Sequence, residues 1–248
     1  MKKESKNRKN KFKDIDQSKI YKPLDAIKIL KEVSYVKFEE SLDIAIRLGI
    51  DSSKTDQNIR GMVNLPKGSG KKIRVAVMAK GDKAKEASDA GADLVGDNDI
   101  VEMVNSNQIN FDLLIATPDM MPMIGKIGKI LGPKGLMPNP KLGTVTQDVS
   151  KAVKDVKSGQ VQFKNDKSGI VHAGIGKLNF KEEDLLENIK AFYNSINKSR
   201  PDGIKGSFIK KVTIASTMGV GLEINVGDLR WFWSQFDNSL TVIACQRP

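Results

Sequence analysis

One cysteine, Cys245, and one histidine, His172, are all that this chain offers to sulfur and imidazole chemistry. A single thiol cannot close an intrachain disulfide, and no cysteine cluster is available to hold a metal. With one imidazole beside it, most zinc sites are excluded, as is every cysteine–histidine pairing except Cys245 with His172. No apolar run approaches the ~18 residues that would span a bilayer, so no membrane partner is expected. The basic start lacks the apolar segment of a secretory signal. It is rich in lysine and asparagine, unlike the arginine-rich amphipathic form of a mitochondrial presequence. A soluble, cytoplasmic protein is expected. Acidic side chains are outnumbered, with 30 Asp and Glu against 41 Lys and Arg, a formal charge of +11 over 248 residues.

A hydrophobic content of 39% is enough to build a core, so the chain is globular, in one large domain or two modest ones. The positive excess makes a polyanion the first partner to consider. Much of it is local: Lys2, Lys3, Lys6, Arg8, Lys9, Lys11 and Lys13 are opposed only by Glu4. Residues 1–20 are expected to form a basic tail that is disordered when free, either simply solvated or in nonspecific contact with phosphates. The folded remainder is then only mildly basic.

Beyond the tail, residues 23–34 read as a short amphipathic helix with Pro23 in its first turn. In residues 41–48, Leu42, Ile44, Ile46 and Leu48 alternate with Asp43, Ala45 and Arg47, the period of a half-buried strand. The texture changes at the Lys67-Gly68-Ser69-Gly70 stretch after Pro66. Residues 73–78 and 112–117 then read as strands buried on both faces, and 82–90 and 149–157 as helices, which together imply a small parallel α/β unit. Residues 132–145 (GPKGLMPNPKLGTV) hold too many prolines and glycines for a helix or sheet interior and must form a shaped loop. From Gln160 the alternating texture returns. Val161 and Phe163, a turn over 165–169 and then Val171 resemble a hairpin. A helix follows with a capping-box-like start at Asn179 and Glu182 and an apolar stripe of Leu185, Leu186, Ile189, Phe192, Tyr193 and Ile196. Val212 with Ile214 and Leu222 with Ile224 read as two further strands around Thr217-Met218-Gly219.

The two ends share one texture and the middle has another. The predicted fold class is therefore α+β and split: a first domain built from residues 21–66 and 160–228, and an inserted three-layer α/β domain with a small parallel sheet over 67–159. Residues 229–248 lie beyond these two domains. Two chain crossings would permit a hinge.

Few residues invite catalysis. The glycines at 68 and 70 before Lys71 fail as a phosphate loop, because Leu65 and Lys72 stand where a glycine and a Ser or Thr are needed. No dinucleotide fingerprint follows the strand at 73–78. His172 is most simply a strand residue satisfied by a local hydrogen bond. The neighbouring pairs Glu39 with Glu40 and Glu182 with Glu183 point apart and read as solvated faces. What is left is a set of polar turns beside strands: Lys37-Phe38, residues 164–169 and residues 216–219. Such turns offer backbone N–H groups, hydroxyls and amines to phosphate and ribose, and Phe38 can stack on a base or sugar.

At these residues the sequence resembles the L-one family of large-subunit ribosomal proteins, the proteins of the mobile ribosomal stalk. The resemblance runs from about Tyr21 to Asp228. It is carried by residues 56–61 (DQNIRG), 132–145, 164–177 (KNDKSGIVHAGIGK) and Ser216-Thr217-Met218-Gly219. It implies a split α+β first domain that binds a stalk segment of large-subunit ribosomal RNA, and an inserted α/β domain. Matched position by position, it implies RNA binding by Lys37, Phe38, Ser41, Lys167, Ser168, Thr217, Met218 and Gly219, with secondary contacts from Lys134 and Lys141. It further implies a part in release of exit-site transfer RNA, repression of translation from the protein's own messenger, a monomer when free, and neither cofactor nor catalysis. The sequence departs from the family in its longer lysine-rich start and after Asp228. The segment that follows, with both tryptophans, reads as a lineage extension or a frame or gene-boundary artefact.

Two other functions compete on the residues alone. One is an enzyme whose inserted α/β unit binds a nucleotide, with an incidental basic tail. The other is a free RNA chaperone held only by charge, which would show no preference among RNAs at equal salt.

Overall fold

The computed structural model describes residues 12, 15–16, 19–52, 54–106, 109–201, 204 and 206–230. Most of the basic tail, and the 231–248 part of the C-terminal extension with Cys245, lie outside the described residues. The chain divides into two compact units, one from residues 1–59 and 163–248, the other from 60–162.

Unit 1 is a five-stranded sheet covered on one face by two helices. Its strands are β1 (Ile20–Tyr21), β2 (Ser41–Leu48), β8 (Ile170–Lys177), β9 (Ile209–Ser216) and β10 (Leu222–Ile224), in spatial order β1-β10-β9-β2-β8. All pairings are antiparallel except β1 with β10. The strand period is two, so one set of alternate residues meets the helices: Leu42, Ile44, Ile46 and Leu48 on β2, Val212 and Ile214 on β9, and Leu222 and Ile224 on β10 are all buried. Against them pack α1 (Pro23–Val33), through Ala26, Ile27 and Leu30, and α6 (Glu182–Lys198), through Leu185, Ile189, Phe192, Tyr193 and Ile196. Pro23 sets φ in the first turn of α1, and Glu182, Glu183 and Asp184 oppose the positive end of the α6 dipole. The outer face of the sheet carries Asp43, Ala45 and Arg47 and is uncovered by any described helix.

Unit 2 has three layers. A parallel sheet in the order β5-β4-β6 joins β4 (Val75–Met78), β5 (Leu94–Val95) and β6 (Leu113–Ala116). Successive residues of β4 feed opposite cores. Ala76 and Met78 join Ile100 and Val104 of α3 (Asn98–Asn105) and Ile124, Ile127 and Leu131 of α4 (Met121–Leu131). Val75 and Val77 join Ala87 of α2 (Asp82–Asp89) and Val149, Val153 and Val156 of α5 (Val149–Lys157). The 132–145 loop is fastened to the end of β6: Ala116 N–H donates to Thr144 O at 2.9 Å, and Asn139 N–H donates to the buried Thr144 Oγ1 at 2.8 Å. This is the split α+β architecture with an inserted small parallel sheet that the sequence predicts. The short strands β1 and β5 and the helices α3 and α4 were not among the predicted elements. A short helix, α7 (Val226–Arg230), follows β10.

Four local expectations are corrected. The chain passes between units at residues 59/60 and 162/163, not at the glycine-rich stretches near 66 and 159. Those glycines mark turns, whereas β3 (Arg60–Asn64) and β7 (Gln160–Lys164) pair with each other as a separate two-stranded sheet. For the same reason β7 and β8 are not a hairpin. The turn between them is real, with Asp166 N–H donating to Ile170 O at 2.8 Å and Gly169 at φ 71°, but only one bridge, Asn165 to Val171, joins the two sides before β8 pairs with β2. Asn179 does not cap α6, whose N-cap is Lys181; its amide instead donates to Glu39 Oε1 at 2.8 Å. The His172 side chain forms no hydrogen bond among the described residues, because its strand position sends it to the uncovered face of the sheet.

Candidate nucleic-acid interface

β2 lies between β9 and the edge strand β8 in the unit 1 sheet, and its two ends hold the two groups of expected contact residues. At the N-terminal end are Lys37, Phe38 and Ser41, and beside them the 217–219 turn that leaves β9. The sheet register requires this, since Leu42 pairs with Ser216. Thr217 N–H donates to Ser41 O at 3.2 Å, and Ser41 N–H donates to Thr217 Oγ1 at 3.0 Å. Lys177, opposite Ser41 on β8, donates from Nζ to Ser41 Oγ at 3.1 Å. Two large apolar side chains stand in solvent here, Phe38 at 55% and Met218 at 46% exposure, with the exposed Lys37 next to them. An exposed aromatic, a thioether and an ammonium on a pinned backbone suit stacking on bases or sugars beside a phosphate.

Lys167 and Ser168 are elsewhere. Their turn joins the C-terminal end of β2, where Leu48 N–H donates to Gly169 O at 2.9 Å and the Ser52 hydroxyl donates to Lys167 O. The eight residues of β2, at about 3.4 Å each, separate the two clusters by roughly 24 Å. The structure therefore brings Lys37, Phe38, Ser41, Thr217, Met218 and Gly219 together and sets Lys167 and Ser168 at the far end of one strip. Between them lies a shallow depression of about 430 Å³ on the outer face, lined by Asp43, Ala45, His172, Gly174, Thr213 and Ala215 among others. Burial pushes the Asp43 carboxyl above its ordinary range, and the charges of Lys177 and His172 oppose that shift without cancelling it. Lys134 is exposed in the turn after α4 of unit 2; the side chain of Lys141 lies outside the described residues.

Two expectations fail at the 217–219 turn. Its backbone N–H groups do not face a ligand: Thr217 N–H goes to Ser41 O, Met218 N–H to Glu40 Oε1 at 3.0 Å and Gly219 N–H to Ser216 O at 3.1 Å. With its amides satisfied inside the protein, the turn exposes the Thr217 and Met218 side chains rather than backbone donors. Glu40, expected on a solvated face, is only 3% exposed. The signal was present: carried one step before Ser41, the period of two puts Glu40 on the same face as Leu42 and Ile44. A Cβ at Gly219 would meet the Ser216 Oγ, so a larger residue there would require that hydroxyl to move.

Two of the signature motifs meet for structural reasons. Asn165, buried, accepts at Oδ1 from Ile59 N–H at 2.9 Å and donates from Nδ2 to Asn58 Oδ1 at 3.1 Å. Gln57 Oε1 accepts from Asp51 N–H at 2.7 Å. The 56–61 motif thus fixes loop geometry.

Residues 30–220 match the ribosomal protein L1p/L10e family. The chain is 54% identical over 225 residues to a protein of Nitrosomonas eutropha named large ribosomal subunit protein uL1, covering 91% of this chain and 97% of that one. It is 53% identical over 225 residues to the protein of the same name from Nitrosomonas europaea, covering 91% and 98%. With the match extending over both parts of unit 1 and all of the inserted unit, the chain belongs to the ribosomal protein L1p/L10e family.

Proposed function

We propose that this protein is a structural constituent of the large ribosomal subunit, working in the cytoplasm, which binds the stalk segment of that subunit's RNA through unit 1 and catalyses no reaction. The observation that carries the proposal is the N-terminal end of β2, where the turn bearing solvent-exposed Met218 is tied by paired hydrogen bonds to Ser41, which follows solvent-exposed Phe38 closely in the chain. Phe38 and Met218 pack on base or sugar faces, Lys37 meets phosphate, and Ser41, Thr217 and Gly219 shape the surface between them. Lys167 and Ser168 contact the RNA farther along the strip, and Lys134 and Lys141 of unit 2 add weaker contacts. The names borne by relatives more than half identical over nearly their whole length support the ribosomal assignment.

On this reading the stalk also takes part in release of exit-site transfer RNA, and a similarly folded segment of the protein's own messenger is bound by the same strip, repressing its translation. The test is affinity for the stalk RNA against a duplex of equal length at moderate salt, together with co-sedimentation on large subunits after a high-salt wash. A strong preference and retention on the subunit are expected. Equal affinity for both RNAs would leave only attraction by charge and sink the proposal. Competition of the messenger segment with the stalk RNA tests the repressor role.

A further inference from the structure

We infer that Glu40 is a positioning residue for RNA recognition: a buried carboxylate that never touches RNA and sets the geometry of the 217–219 turn that does. The inference rests on the RNA-binding reading above and extends it inward. Glu40 is 3% exposed, and its only described side-chain bond is the one Oε1 accepts from Met218 N–H at 3.0 Å, between residues 178 positions apart. Its other oxygen, Oε2, is buried with no hydrogen-bond partner among the described residues, and so is the Ser216 Oγ on the strand leading into the turn.

A carboxylate in this position is costly. Burying a charge with one of its two oxygens unmatched is unfavourable, and an apolar side chain of similar size would serve the core better. The neighbouring residues of the same face, Leu42, Ile44 and Ile46, are all apolar. What Glu40 supplies that they cannot is an acceptor for the one amide of the turn that neither β2 nor β9 reaches. Thr217 N–H is taken by Ser41 O and Gly219 N–H by Ser216 O. Without Glu40 the central amide would have no protein acceptor and would turn toward water, carrying the Met218 side chain with it. The backbone oxygen of Glu40 accepts from Leu178 N–H at 3.0 Å, so the acceptor is itself anchored to the end of β8. The device couples β8, β2 and the turn at the point where RNA would dock.

The test uses the full chain with two substitutions. Glu40→Leu keeps bulk and removes the acceptor; Glu40→Gln keeps the acceptor and removes the charge. Glu40→Leu is expected to weaken stalk-RNA binding by about tenfold or more, as loss of a charge-assisted bond predicts, with binding to an unrelated duplex unchanged. Glu40→Gln is expected to restore binding to within about threefold of the original. In the free protein, hydrogen exchange should show the Met218 amide slower than that of Phe38 on the same surface, faster in Glu40→Leu, and slow again in Glu40→Gln, with Ile44 and Ile214 protected throughout.

Unchanged stalk-RNA binding by Glu40→Leu would overturn the inference, as would an equal loss on both RNAs or a loss of protection spread to Ile44 and Ile214. A freely exchanging Met218 amide in the unsubstituted protein overturns it even if Glu40→Leu does not fold. If the unsubstituted protein shows no preference for stalk RNA, the functional proposal fails instead, and the exchange data still decide whether Glu40 holds the turn.

Discussion

Replacing Met218 by aspartate puts a carboxylate on a side chain that is 46% exposed at the tip of the 217–219 turn. At about 5 Å from an RNA phosphate the repulsion is roughly 0.8 kcal/mol with a dielectric near 80 and roughly 3 kcal/mol at an effective value near 20. Loss of thioether packing on a base or sugar adds about 1 kcal/mol. The sum, roughly 2–4 kcal/mol, corresponds to a fall in stalk-RNA affinity of about 30- to 1000-fold. The Met218 N–H bond to Glu40 is untouched and the side chain is half in water, so stability should move by no more than about 0.5 kcal/mol. Met218→Leu, which keeps an apolar side chain, should stay within about threefold in affinity. Fluorescence anisotropy with labelled stalk RNA and an equal-length duplex at two salt concentrations measures all of this. If folded Met218→Asp binds stalk RNA as tightly as the original protein at moderate salt, Met218 does not face RNA. If it loses as much affinity for the duplex, the effect belongs to charge rather than to a fitted surface.

Other substitutions probe the strip, the second unit and the frame. Phe38→Ala should cost about 1–3 kcal/mol of stalk-RNA binding, the usual value of one stacked base, with no change in melting temperature; unaltered affinity would remove Phe38 from the interface. Lys134→Ala should weaken all RNAs alike and lower the slope of log affinity against log salt by about one, and a stalk-specific loss would contradict its secondary role. For Asp43, burial raises the folded value above the ordinary 3.8, so the folded state holds the proton more tightly than the unfolded state. The stability this confers is full below 3.8 and lost as pH climbs through the folded value. Asp43→Asn should therefore compare more favourably with the original protein at pH near 7 than near 3, and denaturant midpoints showing the reverse would refute the burial argument. Asn165→Leu strands the Ile59 N–H and should destabilise by about 1–3 kcal/mol; a neutral result by urea unfolding would mean that Asn165 does not fasten the 56–61 loop.

What the sequence determined alone was local and periodic. The alternation over residues 41–48 marks β2 residue for residue, because a period of two along one strand needs no partner to be visible. The helix over 149–157, the shaped loop over 132–145 and the turn at 165–169 follow in the same way from short-range chemistry. The signature motifs resemble the family to which the chain belongs. What only the tertiary structure decided is which distant segments meet. Residues 217–219 reach Ser41 across 176 positions, and Lys167 and Ser168 lie at the opposite end of β2. The strands on either side of the 165–169 turn part to join different sheets, since a turn fixes chain direction and not pairing. Glu40 read as solvated because carboxylates seldom go inside, and only the long-range bond to Met218 gives it an inward partner. Pattern along the chain reports each residue's preference for water, but burial against a remote segment is settled by packing of the whole unit, and that is where the surface proposed to read RNA acquires its shape.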